Sequence, residues 1–246
     1  MFERRSIKNP WEGKIDPFKI IGNVYFVGTF QASCHIIDTD DGLILIDPGY
    51  SNTLYLVLNS IYKLGYKPED IKYIVNTHWH GDHTEAGAAL ADLSGAKTLI
   101  GVKDFEKTQR YFTADIKIRD GDTLTLGNTT IEFMETPGHT EGTLSFFFNT
   151  EEDGVTYRVG MFGGAGANTL AEGKTEFDGA RESYRASLAR LRKESVDVFI
   201  GNHTWNNDTF NKAKLLRETG ENAFIDPTLW YKFLDFCGER LNSLEK

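Results

Sequence analysis

Several classes of protein are excluded by what this chain lacks. Cysteine occurs only twice, at Cys34 and Cys237, too few for the disulfide framework of a small secreted fold, so both read as free thiols. The six prolines gather nowhere, and no Pro/Gly/Ser linker, low-complexity tract or fixed-period repeat interrupts the chain. No apolar run approaches the roughly 20 residues needed to cross a bilayer. Residues 1–10 (MFERRSIKNP) are polar and have no apolar signal-peptide segment, which places the protein in the cytoplasm as the sequence stands, or in the periplasm or outside if a leader has been removed. Basic residues are also in deficit, 27 against 36 acidic ones, for a net charge of −9. A phosphate-binding surface requires the opposite balance, so a nucleic-acid partner is not expected.

What remains is ordinary for a protein with a full core: 246 residues, 40% apolar and 26% charged, enough for one large domain or two small ones. The run 22–28 (GNVYFVG) is β-branched and aromatic. Runs 33–38 and 43–47 come next, joined by Thr-Asp-Asp-Gly with Gly42 at a hairpin turn. Leu54, Val57, Leu58, Ile61 and Leu64 recur at helical spacing before Gly65, and Pro68 and Asp70 open the strand 71–75. A short helix is predicted over 85–93, then strands over 97–102, 123–126, 130–135 and 142–148. A helix over 178–192 precedes a strand over 196–201. A last helix starts at Pro227, capped by Asp226, with Leu229, Trp230, Phe233, Leu234 and Phe236 facing inward. Strands followed by a helix, twice over, suggest two packed sheets with helices outside.

Histidine is scarce, with six in the chain, yet three of them share a six-residue window with an aspartate: His78-Trp79-His80-Gly81-Asp82-His83. A chance H-x-H-x-D-H match at this composition is on the order of one in a few thousand. Imidazole and carboxylate hold Zn²⁺ or Fe²⁺ without thiolates. On a loop leaving the strand 71–75, His78 and His80 can share one ion while Asp82 and His83 turn toward a second, with Gly81 permitting the tight backbone. His139, in Thr136-Pro137-Gly138-His139-Thr140, and His203, in Gly201-Asn202-His203-Thr204, also come just after predicted strands. Either alone reads as a loop histidine; beside the cluster both become candidate ligands. His35, on a strand next to Cys34, reads as a core histidine.

H-x-H-x-D-H, then P-G-H-T, then a late strand followed by G-x-H, resembles the metallo-β-lactamase superfamily. The stretch 17–29 (PFKIIGNVYFVGT) and the ending around 222–227 are similar to the third, all-histidine/aspartate subclass of true metallo-β-lactamases. The resemblance covers nearly the whole chain and implies an α+β fold, a four-layer αβ/βα sandwich, as a single domain over 1–246. It also implies two zinc ions per chain. His78, His80 and His139 would bind the first; Asp82, His83 and His203 would bind the second. Asp47, in Leu45-Ile46-Asp47-Pro48-Gly49, matches the family's Asp-x-Gly and would support the metal loop from behind.

One stretch departs from the wider superfamily. Many of its thioesterases and lactonases carry a bridging aspartate between the last two histidines, where this chain reads Met161-Phe162-Gly163-Gly164-Ala165-Gly166-Ala167-Asn168. The third lactamase subclass also lacks that bridge but usually has serines here that hold a substrate carboxylate; Asn168 and Thr169 are the replacements on offer. Trp79 and Trp205 flank ligand positions and are candidates for the pocket wall. Gly163–Gly166 lacks the strand-to-helix context of a phosphate loop. The expected activity is a metal-dependent hydrolase in which two zinc ions activate a water to attack a carbonyl of a small molecule, an amide or lactam first, with Asp82 orienting the water. Hydrolysis of another ester, thioester or lactone is the alternative, followed by an iron-dependent oxidoreductase and a non-catalytic metal protein.

Overall fold

Alternating apolar side chains bounded by turn residues produce the strands. Residues 9–244 are described in the computed structural model of the chain, so of the polar stretch 1–10 only Asn9 and Pro10 lie within it. The first sheet contains β1 (Phe18–Ile21), β2 (Val24–Phe26), β3 (His35–Asp38), β4 (Leu43–Ile46), β5 (Ile71–Val75), β6 (Lys97–Gly101) and β7 (Ile116–Ile118), in that spatial order. Short turns join β1 to β2 and β3 to β4, so these strands are antiparallel; the latter turn places Gly42 at φ 121°. From β4 onward the neighbours are parallel, because longer connections intervene. These connections carry α1 (Leu54–Lys63), α2 (Gly81–Thr84), α3 (Gly87–Ser94) and α4 (Phe105–Thr108).

The second sheet contains β8 (Thr123–Leu126), β9 (Thr129–Glu135), β10 (Leu144–Glu152), β11 (Val155–Met161) and β12 (Val198–Phe199), ordered β12-β11-β10-β9-β8. It is antiparallel except for β11 with β12, which are parallel and joined through α5 (Ala180–Leu191). Helices α6 (Thr209–Thr219) and α7 (Pro227–Ser243) complete the described chain.

The period of two along each strand divides the core. Ile44 and Ile46 of β4, Phe146 and Phe148 of β10 and Val198 of β12 point between the sheets. Leu43 and Leu45 point outward against Val57 and Ile61 of α1 and Leu90 of α3. Phe147 and Phe199 point outward against Tyr184 of α5 and Trp230 and Phe233 of α7. The result is helix, sheet, sheet, helix: the four-layer αβ/βα sandwich expected from the sequence. No described helix is long and apolar enough to cross a membrane.

Sequence and structure differ at several places. The run 22–28 is not one strand: Gly22, at φ 50°, and Asn23 turn the chain between β1 and β2. The helix predicted over 85–93 is present as α3, and a separate short helix, α2, precedes it, beginning at Gly81 inside the histidine cluster. The strand predicted over 196–201 narrows to β12, while β7, β11 and α6 were not anticipated. In α7 the buried stripe is Trp230, Phe233, Leu234, Cys237 and Leu241, so Phe236 is 52% exposed on the outer face. Its position falls off the i, i+3, i+4, i+7 stripe that Cys237 completes. Asp226 does cap this helix, accepting from the backbone N–H of Thr228. Both cysteines are buried free thiols, and buried His35 packs edge-on against Phe26.

Candidate metal centre

Parallel strands end at one edge, so the residues just past their ends meet there. Asp47 lies just past β4, His78, His80, Asp82 and His83 past β5, and Asp104 past β6; His139 lies past β9 and His203 past β12 of the other sheet. The segment after β11 runs tight across this edge. A side chain at Gly163 would come within 1.9 Å of the Leu144 carbonyl, and one at Gly166 within 3.1 Å of the His139 ring. The cluster itself straddles a structural change. His78 and His80 lie in the bend that leads out of β5, His80 in extended conformation, whereas the turn of α2 carries Asp82 and buried His83.

The donors converge. His78, His80 and His139 each offer a nitrogen within 4.8 Å of the other two, and His78, Asp82 and His83 form a second such group. His80 Nδ1 lies 3.1 Å from His78 Nε2 and 3.0 Å from His139 Nε2. His203 joins through Asp82, whose Oδ2 is 3.6 Å from His203 Nε2 and 3.4 Å from His83 Nε2. All six residues singled out as ligands therefore meet at one place.

The outward nitrogen of every ring faces an acceptor, which decides what the inward nitrogen carries. His139 Nδ1 faces the Gly166 carbonyl at 2.7 Å, and His203 Nδ1 faces the Gln31 carbonyl at 2.8 Å. His83 Nδ1 meets Asp47 Oδ2 at 2.7 Å. The Thr77 hydroxyl donates to Asp47 and so accepts from His78 Nδ1 at 3.0 Å. His80 Nε2 meets Glu176 Oε1 at 2.6 Å. Each ring thus has an acceptor behind it and turns its other nitrogen inward; where those nitrogens carry lone pairs, as in the trio His78, His80 and His139, they repel unless a cation lies among them. His83 Nε2 is buried with no hydrogen-bond partner. This donor set fits divalent metal, with imidazole nitrogen and one carboxylate and no thiolate.

Asp47 is fully buried in the left-handed conformation at φ 53°, and it also accepts from the Thr77 backbone N–H at 2.7 Å. It thus ties the end of β5 to His83. Two further residues were missed from the sequence. Buried Asp104 accepts from Trp79 N–H at 3.2 Å, Thr140 Oγ1–H at 2.6 Å and Gly142 N–H at 2.9 Å, joining the loops of His78 and His139. Its signal was present in the sequence, a carboxylate just past a strand end, as at Asp47. Glu176 lies in a polar stretch with no pattern, and nothing local marks it.

Around the centre, Trp205 stacks on His203 with ring centroids 4.0 Å apart and stays 50% exposed, while the Trp79 indole N–H donates to Glu176. Asn168 is exposed. The Thr169 hydroxyl is committed to His139, donating to its carbonyl at 2.8 Å. Ala165 and Ala167 turn into the core beneath α5 and α7.

Burial and the neighbouring rings hold His78 well below the usual imidazole range; burial foremost brings His139 down to about 3 and His203 to about 4. Burial lowers His83 too, but the Asp82 and Asp47 carboxylates outweigh it and raise that ring to about 10. Burial pushes Asp82 upward, and the His83 and His203 rings overcome this to keep it below the usual carboxylate range.

These shifts set the pH dependence of the metal-free protein. His139 and His203 stay neutral in the fold while their unfolded counterparts take up protons near pH 6.5, so stability falls as pH drops from there toward 3 to 4, and His78, also held well below the usual range, adds to the fall. His83 stays charged in the fold to about pH 10, so its contribution is complete below 6.5 and is lost as pH rises to 10. Urea unfolding of the metal-free protein should show greatest stability near pH 6.5, with each ring contributing a slope of about 1.4 kcal/mol per pH unit within its window. Stability still rising at pH 9 would contradict the assignment of His83.

A subclass B3 metallo-β-lactamase of Bradyrhizobium japonicum superposes with a TM-score of 0.89 at 28% identity, covering 97% of this chain and 96% of that one. The metallo-β-lactamase of Legionella gormanii gives 0.88 at 27% identity, over 94% and 95% of the two chains. A hydroxyacylglutathione hydrolase of Hyphomonas neptunium is 31% identical over 123 residues, 50% of this chain and 44% of that protein. The chain spans about half the length of the curated relatives it matches. The metallo-beta-lactamase superfamily profile matches residues 27–203, an interval containing Asp47, the H-x-H-x-D-H run, His139 and His203, and the chain belongs to that superfamily.

Proposed function

We propose that residues 1–246 form one metallo-β-lactamase domain that hydrolyses an amide or lactam bond of a small molecule with two zinc ions. His78, His80 and His139 hold the first ion, and Asp82, His83 and His203 the second. The observation that carries this reading is that each of the five rings has an acceptor behind its outward nitrogen and turns its other nitrogen toward a common space.

Bound divalent ions supply Lewis acidity, lowering the pKa of a water from about 15.7 toward 7 and offsetting charge on the attacked carbonyl. The chain's own residues do the rest. Asp82 remains ionised beside His83 and His203, so it accepts a hydrogen bond from the attacking water and orients it. As a weak base it directs the proton rather than storing it. The Trp79 and Trp205 faces line the approach and favour an apolar group next to the scissile bond.

The lactam reading is favoured over ester, thioester or lactone because similarity to the β-lactamases covers 94% or more of both chains, whereas that to hydroxyacylglutathione hydrolase covers about half. The segment 161–168 also carries no carboxylate to bridge two ions. Elemental analysis of protein purified without added metal should find about two zincs per chain. Hydrolysis of a chromogenic β-lactam should be lost on chelation and return with zinc. Zinc without β-lactam turnover moves the substrate to a thioester or lactone, and one iron per chain overturns the hydrolase.

A further inference from the structure

Among the five rings, His80 is oriented by a carboxylate from far along the chain. Glu176 lies between β11 and α5, outside every motif, yet its half-buried carboxylate makes three short contacts. Oε1 accepts from His80 Nε2 at 2.6 Å, while Oε2 accepts from the Trp79 indole N–H and the Lys107 ammonium, both at 2.9 Å. The division between the two oxygens is informative. Two donors on Oε2 fix the plane of the group and leave Oε1 a single direction, toward His80. Lys107, from α4, also stands 5.6 Å from the centre of the Trp79 ring, so the Trp79 indole is held along with the carboxylate. A carboxylate removed from water is costly unless donors meet it, and here three do.

The tautomer is set by this contact. With its proton on Nε2, His80 must present the Nδ1 lone pair to His78 and His139; with the proton on Nδ1, it would present N–H to a cation. Resting on the metal-centre reading above, we propose that Glu176 is a positioning residue that locks His80 as an Nδ1 metal donor. In doing so it makes binding of the first ion depend on the placement of the segment between β11 and α5. A charged acceptor behind an imidazole also makes the ring a stronger donor, and such partners are commonly worth 10- to 100-fold in metal affinity.

Glu176→Ala, Glu176→Gln and the parent, all as full-length protein, test this. Zinc affinity is read by competition with a chromophoric chelator. The His80 tautomer is read separately in metal-free, ¹⁵N-labelled protein by long-range ¹H–¹⁵N correlation at fixed pH. The parent should show His80 protonated on Nε2. Glu176→Ala should mix the tautomers and weaken one of the two zinc steps about 10- to 100-fold, leaving the other near the parent value. Glu176→Gln keeps an oxygen acceptor without the charge and should fall between the two; being isosteric, it also serves if the alanine variant fails to fold. Parent-like affinity and parent-like ring shifts in the variants overturn the proposal. A parent that takes up no zinc sinks the metal-centre reading instead, and the ring spectrum still decides the orientation of His80.

Discussion

An Asp82→Ala enzyme should turn over its substrate about a thousandfold more slowly than the parent in kcat/KM, a loss of about 4 kcal/mol in transition-state stabilisation. Asp82 is the lone carboxylate among the six converging donors, and it stands between His83 and His203 at 3.4 and 3.6 Å. Removing it takes away one donor and the group that aims the water. Asp82→Asn separates these roles, since the amide keeps the volume and can still coordinate through oxygen but carries no charge. If orientation by a charged acceptor dominates, the asparagine variant binds two zincs yet remains within about tenfold of the alanine variant in rate. An alanine variant with full metal content and a rate within tenfold of the parent would remove Asp82 from the chemistry.

The second large effect is expected behind the ligands. Asp47→Ala leaves three buried donors without their acceptor: the Thr77 N–H, the Thr77 hydroxyl and His83 Nδ1–H. It also removes a fully buried partner of the His83 cation, and breaking a buried pair of this kind costs about 3–5 kcal/mol. For a chain of this size that lowers Tm by roughly 10 °C. Asp47→Asn keeps the left-handed backbone, which asparagine also tolerates, and keeps an oxygen for Thr77, but its NH₂ meets His83 Nδ1–H donor to donor. The asparagine variant should therefore recover much of the Tm and little of the zinc affinity. Thermal melts with and without zinc separate the two losses; an alanine variant melting within about 2 °C of the parent would show that Asp47 is not the anchor of this loop.

How much of this was legible before the structure depends on distance along the chain. The five ligand rings could be read because three lie together at a rare spacing and the other two come just after strand ends. Asp47 could be read because Asp-x-Gly sits at the end of an apolar strand. Glu176 could not: nothing in its neighbourhood is periodic, and its role arises only when a loop folds across another part of the chain. Asp104 carried the same local signal as Asp47 but lacked a motif to single it out. Among the fold elements, β4 and α1 kept to their apolar period, whereas β11 begins with exposed Val155 and becomes buried only from Val159 onward, so its pattern is weak. Phe236 shows the converse, a large apolar residue assigned inward on identity although the helical period places it outward. The replacements suggested for the missing serines read differently in three dimensions, since the Thr169 hydroxyl is already engaged by His139.

The candidate ligands come from both sheets, and His203 is oriented by the carbonyl of Gln31. That arrangement bears on biosynthesis. While the chain leaves the ribosome, the H-x-H-x-D-H run emerges long before His139 and longer still before His203, so the early fragment offers only local, unoriented rings. No complete pocket for a cation exists until the second sheet has closed on the first. If the proposed site takes zinc, the nascent chain is thus a poor competitor for it, and capture of the ion becomes a late event that reports a finished sandwich. On the zinc reading proposed above, an ion held there would link the two halves and draw the folding equilibrium toward the assembled state by mass action, so a cell short of zinc should hold less of this protein even at equal rates of synthesis.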